Sequence, residues 1–197
     1  MGDPKFLRRT YDTPKHPWEA ARMEEERKLL TKYGLKNKRE LWKAQSVLRG
    51  FRRQARDLQA DLRAGVTQAQ RETSGLLGRL TRLGVLPSGS PTLDDVLALT
   101  TEDLLGRRFE WIVFRKGLAA TANGARQMIV HGHLSIGDHR VTRPGYLVLG
   151  AEEGQIAYSP GSPMVLDDHP VRAALRERLE ARGGETGPMP PATEGGA

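Results

Sequence analysis

The chain has 197 residues, enough for one ordinary domain or two small ones, and its 38% apolar and 6% aromatic content means a core built mainly from Leu, Val, Ile and Ala. Lys and Arg number 31 against 24 Asp and Glu, a net charge of +7, which favours a polyanionic partner. Cysteine is absent, excluding disulfides, thiol catalysis and Cys-ligated zinc; with no apolar run long enough for a membrane span or a secretory signal, a cytoplasmic chain is expected.

Residues 1–16 carry Lys5, Arg8, Arg9, Lys15 and His16 among prolines and polar residues and predict an extended basic arm. Pro17 suits the first position of a helix, its body running from Trp18 to Tyr33 and Gly34 ending it. In the next helix Leu41, Ala44, Leu48, Phe51, Ala55, Leu58 and Leu62 alternate spacings of three and four, so they line one face. Lys43, Arg49, Arg52, Arg53 and Arg56 fall largely off that stripe. Close like charges on one helix are destabilising unless a polyanion compensates them.

Gly65 breaks this helix, and Val66 to Leu83 predict another with Leu76, Leu77, Leu80 and Leu83 on its buried side. Pro87 to Pro91 reads as a linker. Thr92 with Asp95, and Thr100 with Asp103, resemble capping boxes that open short helices. One helix is expected from Leu104 to Lys116 and another from Thr121 to His131.

The period then changes. His133 to Ile136, a Gly137–Asp138 turn and His139 to Thr142 predict a hairpin. Tyr146 to Leu149 and Ile156 to Ser159 are further candidate strands, and Val171 to Arg182 a terminal helix before a polar tail expected to be disordered.

Charge is blocked along the chain. Residues 1–60 carry a net +8 and residues 106–146 a net +5, whereas 61–105 carry −2 and the remainder −4. Two basic blocks suggest a protein that touches a large polyanion in more than one place.

The run Arg107-Arg108-Phe109-Glu110-Trp111-Ile112-Val113-Phe114-Arg115-Lys116-Gly117, the helix with Arg126 and Gln127, and the hairpin after His131-Gly132-His133 together resemble the alpha-L RNA-binding motif. In that motif two helices pack on a small sheet and offer a basic surface to RNA. Arg107, Arg108, Arg115, Lys116 and Arg126 would then sit on a rigid platform, with Arg140 and Arg143 added by the hairpin. Such forks suit A-form RNA, whose deep major groove leaves shape and phosphate to be read.

Tyr33-Gly34-Leu35-Lys36-Asn37-Lys38-Arg39-Glu40-Leu41-Trp42, His16-Pro17-Trp18-Glu19 and Leu80-Thr81-Arg82-Leu83-Gly84-Val85-Leu86 extend the likeness. Together with the motif they resemble small-subunit ribosomal protein four of the archaeal and eukaryotic type, in uninterrupted order from residue 2 to about 160. The missing cysteine zinc site, present in many bacterial relatives, fits that branch.

The resemblance implies an α+β fold: an N-terminal all-helical block followed by an alpha-L RNA-binding domain with two helices packed on a small, mainly antiparallel sheet. The expected divisions are a basic arm at 1–16, a helical rRNA-binding block at 17–91, the alpha-L domain with preceding short helices at 92–168, and a terminal helix and tail at 169–197. It implies direct binding to small-subunit rRNA at a multi-helix junction, a role in nucleating subunit assembly and in translational accuracy, contact with small-subunit protein five, and a place beside the channel where messenger RNA enters. Candidate RNA-binding residues are Lys5, Arg8, Arg9, His16, Lys36, Asn37, Lys38, Arg39, Lys43, Arg49, Arg52, Arg53, Arg56, Arg107, Arg108, Arg115, Lys116, Arg126, Gln127, His131, His133, Arg140 and Arg143.

No catalytic residue, cofactor, membrane or small-molecule substrate is expected, because no phosphate-cradling loop, nucleophile elbow or zinc-spaced histidine pair occurs. His131 and His133, one residue apart, lack the neighbouring acids of a metal site. An RNA-modifying enzyme would need a further catalytic domain, for which the helical remainder leaves no room. An accessory factor acting on free subunits stays as the alternative, although that class is usually built around the motif alone.

Overall fold

In a computed structural model, residues 9–87, 89–166 and 169–183 are described. Eight helices occur among them, α1 Ala20–Tyr33, α2 Lys38–Arg63, α3 Thr67–Arg82, α4 Leu93–Ala98, α5 Thr101–Gly106, α6 Phe109–Arg115, α7 Ala122–Val130 and α8 Pro170–Gly183, together with strands β1 Leu134–Ile136, β2 His139–Arg140 and β3 Ile156–Tyr158. The strands form one antiparallel sheet in the order β2-β1-β3, with Ile136 opposite both His139 and Ile156. This is the expected α+β arrangement.

The periodic stripe of α2 explains the helical block. Leu48, Phe51, Ala55 and Leu58 are buried against Ala69, Leu76 and Leu80 of α3 and against Leu93 and Val96 of α4, each large side chain contributing roughly 1.5–3 kcal/mol. Gly34 ends α1 at φ 67, its N–H bonded to the Leu30 carbonyl, as a left-handed cap requires. Both Thr–Asp boxes form: the Thr92 and Thr100 N–H groups donate to Asp95 and Asp103, each at 2.7 Å.

A second core holds Phe109, Ile112 and Val113 of α6, Ala125 and Ile129 of α7, Leu134 and Ile136 of β1, and Val148 and Ile156. Between the two cores lies a small seam in which Tyr33, Leu35, Leu41 and Leu105 are buried together with part of Trp111. The Tyr33 and Trp111 rings stand 4.6 Å apart.

Three expectations need correction. The first helix starts at Ala20 rather than near Trp18, because Arg22 donates back to the His16 and Pro17 carbonyls at 2.7 and 3.0 Å and holds that stretch as a turn; Trp18 is left 87% exposed. The single helix over 104–116 is two, broken where Arg108 turns extended. Phe109 N–H there donates to the Tyr146 carbonyl at 2.8 Å, and Val148 N–H to the Arg107 carbonyl at 3.0 Å. Consequently Tyr146–Leu149 is no strand but one bridge, Arg108 to Leu147. Helix α4 shares the core of α2 and α3. Lys5, Arg8 and the tail after Gly183 lie outside the described residues.

Candidate nucleic-acid interface

The basic residues fall into two physical kinds. Lys36, Arg39, Lys43 and Arg56 at the start and along the outer face of α2, and Arg140 and Arg143 beyond β1, are exposed and have no carboxylate partner among the described residues. Arg53 is exposed, with Asp57 3.9 Å away. Arg49 is exposed too but pairs with Asp12 at 2.6 Å; the Asp12 N–H donates to Ser46 at 3.1 Å, so the inner end of the arm lies along α2. Arg9 stands 5.4 Å from the Tyr11 ring centroid. His16 is exposed.

The other kind is spent inside the molecule. Arg52 donates to the Leu99 carbonyl at the end of α4. Asn37 caps α2, accepting from the Glu40 N–H at 3.2 Å. Lys38 pairs at 3.0 Å with Glu26, which also takes Arg22 at 2.7 Å and the Trp42 indole N–H at 3.0 Å. Burial works against the Glu26 charge, but these donors hold its pKa below the ordinary value. Arg107 donates to Glu153 at 2.7 Å and to the Val148 carbonyl at 3.0 Å. Arg115 also pairs with Glu153, and Lys116 donates to the Glu153 carbonyl.

Arg108 and Arg126 go further. Arg108 Nη2 donates to Glu40 at 2.7 Å and its Nε to Glu110 at 3.0 Å. Arg126 forks onto both oxygens of Glu40 at 2.6 and 3.0 Å and reaches Glu110 at 3.1 Å. Two guanidinium groups and two carboxylates thus form a closed ring, with Glu110 fully buried beneath it. Burial pushes the Glu110 carboxyl up to about 7, with Arg108 and Arg126 opposing and the Glu40 charge adding. For the more open Glu40, burial is outweighed by the two arginines, and its pKa lies below the usual range.

Above the ring lies a groove of about 460 Å³ between α2 and the segment 142–147. Lys43, Ala44 and Val47 form one wall, Thr142, Arg143, Pro144, Gly145 and Leu147 the other, and Glu40, Arg108 and Arg126 lie between them. The two basic blocks of the sequence therefore meet across one groove.

A second groove of about 520 Å³, between α7 and α8, is lined in part by Gln127, Met128, His131, His133, Tyr158 and Leu175. Gln127 and His131 are exposed, and the His133 Nδ1 lies 2.9 Å from the Ser162 hydroxyl. Among the described residues no group of three or more His, Asp or Glu could hold a metal ion, and no helix is long and apolar enough to cross a membrane.

The buried carboxylates Glu26 and Glu110 and the half-buried Glu40 and Glu153 were not among the candidates. A signal for Glu110 existed, since a lone acid between Phe109 and Trp111 in an apolar helix must be either misplaced or paired.

Residues 107–153 match the S4 domain family. The chain is 50% identical over 175 residues to the small ribosomal subunit protein uS4 of Thermoplasma acidophilum, covering 89% of this chain and 87% of that one. It is 51% identical over 172 residues to the uS4 protein of Methanococcus aeolicus, covering 87% and 96%, and 51% over 175 residues to that of Picrophilus torridus, covering 89% and 95%.

Proposed function

Since the chain belongs to the uS4 family of small-subunit ribosomal proteins, we propose that it binds small-subunit rRNA directly, through the exposed cations on both sides of the groove between α2 and its S4 unit. It is a cytoplasmic structural component of the small ribosomal subunit rather than an enzyme.

The observation that carries the RNA reading is the exposed set Lys36, Arg39, Lys43, Arg56, Arg140 and Arg143, without a carboxylate partner among the described residues and contributed by two separately cored units. Each cation that neutralises a phosphate releases condensed counterions, and two rigid units gripping at once fix the mutual angle of the RNA helices they hold. A protein acting so would be useful early in assembly and at a junction of several helices. Contact with small-subunit protein five, a place beside the channel where messenger RNA enters, and an influence on translational accuracy follow from the family resemblance and belong to the same proposal.

Among the candidates, those bonded internally, notably Arg108 and Arg126, support RNA binding by holding the scaffold, and the exposed ones make the phosphate contacts. Sedimentation of native extract through sucrose at moderate and high salt tests the reading. Co-sedimentation with small subunits through the high-salt wash is the expected result. Release at the top of the gradient would replace it with an accessory factor acting on free subunits.

A further inference from the structure

We infer that Glu40 is a positioning residue: it fixes the helical block against the S4 unit, and so sets the width of the groove between them. The inference deepens the proposed function and rests on it for its RNA arm.

Of the four ring members, Glu40 is the one carried by the helical block; Arg108, Glu110 and Arg126 all belong to the S4 unit. Its two oxygens take three guanidinium donors at 2.6, 2.7 and 3.0 Å, and both arginines are also tied to Glu110. A bidentate fork resists rotation as well as separation. Glu40 and Glu110 offset most of the charge of the two guanidinium groups within the ring, so it offers a polyanion little charge of its own.

What the ring does instead is place the cations that remain free. Lys43 stands three residues beyond Glu40 on the same helix. Arg143 is fixed opposite, because the neighbouring Pro144 carbonyl accepts the Glu110 N–H at 3.3 Å. Both line the same groove as Glu40. A loosened ring would let the two walls move independently, and preorganisation for a phosphate pair would be lost.

The sign of one substitution separates this from simple electrostatics. Glu40→Gln removes a negative charge beside a basic groove, which by field alone should tighten binding to any polyanion. Positioning requires the opposite. The chain has no native cysteine, so a label pair introduced by Gln70→Cys on α3 and Asp138→Cys at the β1–β2 turn, both exposed positions, reports the distance between the two units.

In the full chain, E40Q should broaden or shift that distance distribution and weaken binding to small-subunit rRNA by roughly tenfold, a mid-range coupling for contacting groups. An unchanged narrow distribution, or RNA bound as tightly as by the parent or more so, overturns the inference. If the parent itself fails to bind rRNA, the proposed function falls while the distance measurement still judges Glu40. Should E40Q not fold, Glu40→Asp keeps the charge but shortens its reach by one methylene; parental distance and affinity in that variant overturn the inference equally.

Discussion

A Cβ on Gly34 would stand 2.8 Å from the Cβ of Ala122 and 2.9 Å from its carbonyl carbon, so the turn between α1 and α2 rests directly on the start of α7. Gly34 also sits at φ 67, where any side chain is strained. Gly34→Ala should therefore lower stability by about 2–4 kcal/mol, the sum of a left-handed penalty and overpacking. Urea unfolding measures it, and a loss under about 0.5 kcal/mol would show that the seam yields.

The ring divides the arginines by the kind of damage their loss should cause. Arg108→Ala leaves Glu110 buried with one partner fewer and should cost about 3–5 kcal/mol of stability. Arg143→Ala should leave the unfolding midpoint unchanged, yet reduce the slope of log K against log salt for rRNA by about one. Equal effects of the two variants on stability would contradict the division.

Arg52 is expected to behave as a helix cap. Its donor to the Leu99 carbonyl predicts that Arg52→Ala destabilises the block by about 1–2 kcal/mol and leaves the RNA salt slope intact. A slope reduced by one with no change in stability would return Arg52 to the phosphate contacts.

Much of this was legible in the sequence, for reasons that differ by element. The stripe from Leu41 to Leu58 and the capping boxes at Thr92 and Thr100 are local patterns, and the helices they open are found. The break at Arg107–Arg108 was not legible, because its cause is a backbone pairing with residues some forty positions later. The same non-locality hid the fate of the arginines: Arg126 and Arg56 look alike in a sequence, and Arg126 is distinguished by its bonds to Glu110 and to Glu40, 16 and 86 residues before it. The signs and blocks of charge were readable, but which cations are already paired was not.

Glu110 makes the ring sensitive to pH, and the sign follows from the direction of its shift. Its folded pKa, pushed up to about 7, lies above the ordinary carboxylate value, so folding is favoured while it is protonated. Its contribution is fully present below about pH 4.5 and is lost as pH rises through about 7. At about 1.4 kcal/mol per unit, the shift from 4.5 to about 7 bounds the loss at about 3.5 kcal/mol. Glu40, with its pKa lowered, acts in the opposite sense and loses its contribution as pH falls through the folded value. Stability of the parent relative to Glu110→Gln should therefore decline between about pH 5 and pH 7.5. A parallel pair of pH profiles would contradict it.

The most direct test of the account is equilibrium binding of the purified full chain to protein-free small-subunit rRNA across a range of salt, with large-subunit rRNA as the comparison. A clear preference for the small-subunit RNA is expected, with a linear fall of log K with log salt whose slope matches several phosphate contacts. Equal binding to both RNAs, or affinity insensitive to salt, would contradict direct recognition through the exposed cations of the groove.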